Sequence, residues 1–293
     1  WFYRSQGSDV GFGNNQPPSP DTSLRVHTYN SPIVMDLAHA DAAICPTHWQ
    51  ANQFPPAMRQ HLSVIFDGVD TTQLPLVKQG ARHHPLNLGA GDAKATIPAG
   101  VPLVTYVTRC FEPYRGWPQV AEGLALLMQR NPRAHVLLVG SDEVAYGGKR
   151  GDGLSWREWA LKEWPMDPSR LHQLPALGYD DYKRVIQRSW VHVYWTVPFI
   201  LSWSLMEAMA SGCCIVASST PPVEEVITSG EQGQLVDFFD PEALSQQVDH
   251  LLQNLEQRQQ LGQCANQRIL EGGYDLQNTL KQQLQLLDHV IHG

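Results

Sequence analysis

The sequence predicts an α/β fold with a doubly wound, mostly parallel sheet over residues 101–275. The prediction rests on short apolar, β-branched runs, on helical periodicity between those runs, and on local signals that start or stop helices. Ser155 with Glu158 three residues later is one such start, and Asn131-Pro132 is one such stop. Alternating strands and helices are typical of a parallel sheet with helices on both faces. Such sheets bind ligands at the carboxyl ends of their strands.

Composition argues against several classes of function. The length of 293 residues is typical of one or two domains, and the 42% of hydrophobic residues indicates a globular core. The net charge is −8. The chain has no basic run and no apolar segment near the ~18 residues of a membrane span, so we expect no nucleic-acid partner and no transmembrane segment. Five scattered cysteines have no metal-ligand spacing, so we expect no metal site. We interpret these cysteines as reduced thiols of a cytoplasmic protein: Cys45, Cys110, Cys213, Cys214 and Cys264.

The first 75 residues predict a short run of α/β elements. A helix is expected over 29–40, with Ser31 as its cap and Pro32 at its first position. The elements expected after it are a strand at 42–46, a helix at 47–54 and a strand at 62–66. Residues 76–100 are rich in Gly, Ala, His and Pro, and they predict a linker with room for one hairpin.

From residue 102 onward the predicted elements alternate regularly. The predicted strands are 103–108, 135–140, 171–174, 191–195, 213–217 and 234–236. The predicted helices are 117–130, 155–163, 179–188, 204–210, one that begins at 240–242, 258–269 and 276–291.

The stretch 198–219 reads as loop, helix, turn and strand. Ser204 and Glu207 have the spacing of a capping box, so we expect the helix to begin at Ser204 and to stop at Gly212. A helix N-terminus among small hydroxyl residues favours anions, because unpaired N–H groups and the helix dipole both attract negative charge. An ordinary capped core helix explains this stretch equally well.

The run M-E-A-M-A-S-G at 206–212, followed by an apolar strand, resembles the signature of the family 4 retaining glycosyltransferases. The resemblance extends from about Ala42 to the C-terminus and implies the GT-B fold, in which two Rossmann-like domains flank a cleft. The family signature has two glutamates separated by seven residues. Glu207 matches the second glutamate, which in the family binds the ribose of the sugar nucleotide. Phe199 stands where the first is expected, and that glutamate usually contacts the donor sugar.

The resemblance also implies a diphosphate site. In the family, a loop with an arginine and then a basic residue before a glycine binds the diphosphate. Arg109, Arg115 and Gly116 match this loop. Arginine suits the role, because its planar guanidinium can bond two phosphate oxygens. The alternative is that both arginines are solvated loop residues. This alternative is less favoured because Glu207 matches the family signature further along the same chain.

Five more residues are predicted to bind the donor, because each lies in a segment that matches a donor-binding loop or turn of the family. They are Leu177, Ser202, Trp203, Ser204 and Glu225. Leu177 belongs to the loop whose backbone reads the base, and residues 202–204 form the turn beside the phosphates. Core packing is an equal alternative for Trp203, and an exposed charge in the first turn of a helix is an equal alternative for Glu225.

The resemblance divides the chain into four segments. These are a partial N-terminal, acceptor-side domain at 1–75, a linker at 76–100, a C-terminal nucleotide-sugar-binding domain at 101–275, and a C-terminal helix at 276–293 that packs back toward the N-terminal part. A Rossmann-like half needs roughly 150 residues. We therefore expect part of the N-terminal domain to lie upstream of Trp1.

The function implied is that of a retaining glycosyltransferase in carbohydrate biosynthesis. It would use a nucleoside diphosphate sugar and a sugar or glycan acceptor, with no metal or other cofactor and with Arg109, Arg115 and Glu207 as catalytic residues. We expect the printed chain to bind a nucleotide and to transfer sugar weakly or not at all. The alternatives are a non-catalytic nucleotide-sugar-binding module, which Phe199 favours, and another sugar-nucleotide enzyme such as an epimerase or a phosphorylase. The base, the sugar, the acceptor and the oligomeric state stay open.

Overall fold

A computed structural model describes residues 3–5, 8–13, 17–78, 80–91 and 93–292. The prediction that concerns Trp1 lies outside these residues. Within these ranges, no helix combines the length and the apolar character that crossing a membrane requires.

The described N-terminal residues form helices and two short strands. The elements are α1 (Pro20–His39), β1 (Ala43–Cys45), α2 (His48–Gln53), α3 (Pro56–Arg59) and β2 (Leu62–Val64). The two strands pair in parallel, with Ile44 opposite Ser63. Parallel strands joined by helices are typical of a Rossmann-like domain, which the resemblance implied for this part.

Helix α1 is longer than predicted. Its N-cap is Ser19, whose Oγ accepts a hydrogen bond from the N–H of Thr22 at 3.2 Å, and Pro20 occupies the first position. Ser31 lies inside the helix, where its hydroxyl donates to the carbonyl of His27 at 2.7 Å. Both Ser-Pro pairs suit a helix start, and the chain uses the first one. The predicted start at Ser31 was wrong.

An antiparallel hairpin follows, with β3 at Leu86–Ala90 and β4 at Ala93–Ile97. Its inward-facing apolar residues are buried against the beginning of the main sheet: Leu86, Leu88, Ala95 and Ile97. The segment therefore packs on the sheet instead of running free between two parts. The predicted domain boundaries themselves stay a prediction.

A six-stranded parallel sheet forms the centre of the C-terminal part. Its strands are β5 (Leu103–Cys110), β6 (His135–Ser141), β7 (Leu171–Leu174), β8 (Val191–Tyr194), β9 (Cys214–Ser218) and β10 (Gln234–Val236). Their order is β10-β9-β8-β5-β6-β7, and every pair is parallel. The predicted doubly wound α/β fold is confirmed. The chain winds in one direction from β5 to β7 and in the other from β8 to β10, so the topological switch lies between β5 and β8.

The helices between and after these strands follow most of the predicted pattern. They are α4 (Trp117–Arg130), α5 (Trp156–Glu163), α6 (Tyr179–Arg188), α7 (Trp203–Ala210), α8 (Pro221–Glu224), α9 (Pro241–Gln253), α10 (Leu255–Glu271) and α11 (Leu276–His292). Helix α8 was not predicted, and α10 begins at Leu255 instead of 258. The Ser155 capping box is present, with Ser155 Oγ accepting from the N–H of Glu158 at 3.1 Å and the Glu158 carboxylate accepting from the N–H of Ser155 at 2.8 Å. Local capping chemistry therefore fixes this helix start.

Apolar side chains cover both faces of the sheet. Helix α4 buries Val120, Leu124 and Leu127 on one face, and α7 buries Leu205 and Met206 on the other. Each such side chain stabilises the fold by roughly 1.5–3 kcal/mol through its removal from water. The strand ends are thereby held on a rigid scaffold.

The N-terminal part is tied to the start of α11. The N–H of Val69 donates to the carbonyl of Tyr274, and the N–H of Leu276 donates to the carbonyl of Val69, both at 2.9 Å. Gly68 has a φ of 95°, and a Cβ at this position would clash with the hydroxyl of Thr279. A glycine is therefore required where the two segments meet.

Candidate functional site

A cavity of about 590 Å³ opens at the carboxyl ends of β5 and β8, beside the topological switch. Loops after the strands, the N-termini of α6 and α7, and residues 68–70 of the N-terminal part all line it. Seven of the eight predicted site residues are among its lining residues: Arg109, Arg115, Leu177, Ser202, Trp203, Ser204 and Glu207. The structure therefore brings together residues that are up to about a hundred positions apart in sequence.

The two arginines line the cavity in different environments. Arg109 is exposed near the end of β5, whereas Arg115 lies in a 3₁₀ turn and is only 9% exposed. Among the described residues, no carboxylate lies within ion-pair distance of either guanidinium. The Nη1 atom of Arg115 is buried and has no hydrogen-bond partner there. A buried cation without a counter-charge is costly, so this arrangement favours an anionic ligand.

The backbone around Arg115 is fixed by tertiary contacts. The hydroxyl of Tyr106 donates to the carbonyl of Arg115 at 2.5 Å. The next residue, Gly116, has a φ of 61° and lies so close to the Trp195 ring that a Cβ would clash with it. The positive φ and the close Trp195 ring therefore require a glycine directly after Arg115.

Helix α7 presents its N-terminus to the cavity, but it starts differently from the prediction. Ser202 is the N-cap, and its Oγ accepts a weak hydrogen bond from the N–H of Ser204 at 3.3 Å. The hydroxyls of Ser202 and Ser204 are 2.9 Å apart. Since the helix begins at Trp203, Glu207 lies beyond the first turn and cannot close a capping box. The predicted capping box of Ser204 and Glu207 was wrong.

The Glu207 carboxylate points toward α6. Its Oε1 accepts a hydrogen bond from the Tyr179 hydroxyl at 3.0 Å. Burial raises the pKa of Glu207 above its ordinary value of 4.5, and the nearby hydroxyls of Tyr182 and Tyr179 offset part of that rise. Neither tyrosine was among the predicted site residues. The one feature of the sequence that could have indicated them is their place in the helix after strand β7, at the edge of the sheet where ligands bind.

Trp203 is an exposed aromatic residue of the cavity wall. The residue is 61% exposed, and its Nε1 donates to the Asp67 carboxylate at 2.7 Å. Because Asp67 follows β2, this bond joins the N-terminal part to the first residue of α7. Leu177 lies in the loop after β7, next to Ala176, and is half-buried.

Glu225 does not reach the cavity. Its carboxylate accepts hydrogen bonds from the backbone N–H groups of His48 at 2.8 Å and Trp49 at 2.7 Å. These are the first two residues of α2, so Glu225 caps a helix of the N-terminal part. In this structure the residue holds two segments together instead of facing the other predicted site residues.

Phe199 also lies off the cavity wall. It is fully buried, and its ring makes edge contacts with Tyr114 at 5.7 Å and with Tyr146 at 5.2 Å between ring centroids.

Within the described ranges, His, Cys, Asp and Glu side chains form no group of three or more that could hold a metal ion. Arg109, Arg115 and the N-terminus of α7 contribute positive charge to the lining of the cavity.

Two family profiles match the chain. The profile of the glycosyl transferases group 1 matches residues 91–268, and the profile of the glycosyl transferase family 4 group matches residues 1–74. A search of curated protein sequences found no match.

Many solved structures resemble the chain in fold. Anabaena HepE in complex with UDP-glucose has a TM-score of 0.72 and 16% identity, with 92% of this chain and 68% of that chain covered. Sucrose-phosphate synthase from Thermosynechococcus elongatus has a TM-score of 0.69 and 22% identity, with 99% and 67% covered. S. aureus TarM, in complex with Fondaparinux, alpha-GlcNAc-glycerol and UDP, has a TM-score of 0.68 and 14% identity, with 97% and 49% covered. At these identities the likeness shows the fold, which is GT-B.

Proposed function

The chain belongs to the glycosyl transferases group 1 family, and we propose that it moves a sugar from a nucleoside diphosphate sugar to a sugar or glycan acceptor with retention of anomeric configuration. The observation that carries the proposal is that Arg115, whose Nη1 has no hydrogen-bond partner among the described residues, lines the same cavity as Arg109 and the N-terminus of α7. This combination suits an anion with two phosphate groups, because each guanidinium can bond phosphate oxygen and the helix dipole attracts negative charge.

Stabilisation of the leaving group is the main catalytic effect in this proposal. When the bond between the anomeric carbon and the diphosphate breaks, its electron pair leaves on the diphosphate oxygen. Arg109, Arg115 and the positive end of the α7 dipole near Ser204 would neutralise that developing charge without first having to reorganise. The proposal assigns no role to a metal or another cofactor, since these groups supply the positive charge.

Nucleoside recognition is assigned to Glu207 and to the loop at Leu177. A carboxylate suits the paired hydroxyls of ribose, and the Tyr179 hydroxyl positions the Glu207 carboxylate by donating to its Oε1. The bound UDP-glucose of Anabaena HepE supports a uridine nucleotide as the first donor to test. The two serines at 202 and 204 face the same cavity and are proposed to contact phosphate or sugar.

Three finer assignments complete the proposal. Retention and membership of family 4 are supported by the signature at 206–212 and by the match of a family 4 group profile to residues 1–74. A cytoplasmic location is supported by the five cysteines, all of which are unpaired thiols. A sugar or glycan acceptor is supported by the exposed Trp203 ring at the cavity edge, because such a ring can pack against a sugar face.

A non-catalytic nucleotide-sugar-binding module is the second candidate. The buried Phe199 favours it, because no carboxylate occupies the position where the family signature has its first glutamate. The two candidates agree on nucleotide binding and differ in turnover.

Calorimetric titration with UDP, GDP, ADP and their glucose conjugates tests the shared part of the proposal, and release of free glucose tests turnover. We expect one nucleoside diphosphate to bind more tightly than its nucleoside, with slow release of sugar from the matching conjugate. Absence of binding to every nucleotide would overturn both candidates. Binding without hydrolysis or transfer to a broad acceptor panel would favour the binding module.

A further inference from the structure

Arg115 packs against two aromatic rings. Its Cζ atom is 4.9 Å from the centroid of the Phe199 ring and 5.5 Å from the centroid of the Tyr146 ring. Both distances are within the ~6 Å range of cation–π attraction. The two rings also contact each other edge to face, with centroids 5.2 Å apart and planes at 65°. The guanidinium thus packs on a pair of rings that support one another.

The rings compensate the buried charge without using its hydrogen-bond donors. Arg115 is 9% exposed, no carboxylate of the described residues pairs with it, and its Nη1 has no hydrogen-bond acceptor. A carboxylate partner would occupy those N–H groups and neutralise the charge. An aromatic face attracts the cation but carries no net charge and forms no strong hydrogen bond. The guanidinium therefore keeps its full capacity for an incoming anion.

The ring pair is anchored to the loop that carries the arginine. Glu112, three residues before Arg115, is buried, and one of its carboxylate oxygens accepts from the backbone N–H groups of Ala145, Tyr146 and Gly147 at 3.2, 3.0 and 2.9 Å. The Tyr114 ring packs edge-on against Phe199 at 5.7 Å. Residues 112–115 and the turn at 145–147 thus form one unit.

Position 199 acquires a definite role from this geometry. A carboxylate placed where the Phe199 ring lies would be close to the guanidinium and would compete with any anion for it. We infer that Phe199 and Tyr146 are positioning residues, which hold Arg115 unpaired and directed toward the diphosphate of the donor. This inference rests on the proposed function, because it needs a diphosphate ligand at this cavity.

Four variants of the whole chain test the inference by calorimetry. The tightest binder among UDP, GDP and ADP is titrated beside its nucleoside. Tyr146→Leu removes one ring at a position that tolerates change, since Tyr146 is partly exposed, and Tyr146→Phe is the matched control that keeps the ring. Phe199→Leu removes the second ring, and Phe199→Glu introduces the carboxylate. Circular dichroism melts show whether each variant is folded.

We expect both leucine variants to weaken diphosphate binding by roughly 2- to 30-fold, the range of a cation–π contact, and to leave nucleoside binding unchanged. Tyr146→Phe should bind like the wild type, and Phe199→Glu should weaken both the diphosphate and its sugar conjugate. A purely structural role would not separate diphosphate from nucleoside.

The inference is overturned if folded Tyr146→Leu binds the diphosphate like the wild type. It is also overturned if Phe199→Glu binds the sugar conjugate more tightly, since position 199 would then contact the sugar. Both results leave the proposed function standing, provided that the wild type binds the diphosphate. A wild type that binds no nucleoside diphosphate would overturn the proposed function, and the role of the ring pair with it.

Discussion

Replacing Arg115 with alanine should separate diphosphate recognition from nucleoside recognition. A hydrogen bond to a charged group contributes roughly 1.5–3 kcal/mol, which corresponds to a loss of about 10- to 150-fold in diphosphate affinity if one such bond is lost. The plain nucleoside lacks the phosphates and should bind Arg115→Ala and the wild type equally. Stability should change little, because loss of two cation–π contacts is offset by removal of a buried cation whose Nη1 has no hydrogen-bond partner in the described structure.

Calorimetry at fixed salt concentration provides the measurement, and Arg184→Ala is the matched control. Arg184 is also an arginine, but it is about half exposed on α6, where it pairs with Asp181 at 2.8 Å, and it does not line the cavity. We expect Arg184→Ala to keep wild-type affinity for both ligands. Equal diphosphate binding by Arg115→Ala and the wild type would refute the assignment of the diphosphate to this wall. An equal loss of nucleoside affinity would show that the arginine acts on the fold of the cavity.

Three further predictions follow from the same contacts. Burial raises the pKa of Glu207, so its carboxylate takes up a proton at a higher pH than an exposed glutamate does. Nucleotide affinity should therefore fall as the pH drops and the carboxylate becomes protonated. Calorimetry of Glu207→Gln should show weaker binding that does not depend on pH in this way. Gly116→Ala should lower the free energy of unfolding by about 2–4 kcal/mol in a denaturation assay, because Gly116 has a φ of 61° and an added Cβ would clash with Trp195. Gly151 has open space around it, so the control Gly151→Ala should be nearly neutral in the same assay. Glu225→Ala should lower the free energy of unfolding, followed by thermal melts, by about 1–2 kcal/mol, because the cap on α2 is lost. Nucleotide affinity should not change, and a drop in affinity would show that Glu225 contacts the donor.

Local sequence signals predicted most of the C-terminal elements correctly. Helix 117–130 was predicted with its observed bounds, because Asn131-Pro132 ends it within the same few residues. The Ser155 capping box and the helix start at 240–242 were also predicted, since each is set by residues three positions apart. Parallel pairing followed from alternation of strand and helix. These features depend on neighbours in sequence, and the sequence displays them directly.

Features that depend on distant residues were missed. Ser202 and Ser204 are equally suitable caps by type, and the choice of Ser202 accompanies a hydrogen bond from its backbone N–H to the Tyr194 hydroxyl of β8 at 3.2 Å. The role of Glu225 as a cap depends on α2, which lies far away in sequence. The ring pair around Arg115 joins residues from three loops, and no spacing rule connects them.

The central claim is retaining sugar transfer at the cavity that Arg115 lines. Its most direct measurement follows the anomeric proton of the transferred sugar by NMR, starting from the sugar nucleotide that calorimetry selects and a panel of sugar acceptors. The account predicts a product with the anomeric configuration of the donor, formed by the wild type and at least about tenfold more slowly by Arg115→Ala. A product of inverted configuration, or wild-type rates in Arg115→Ala, would contradict it.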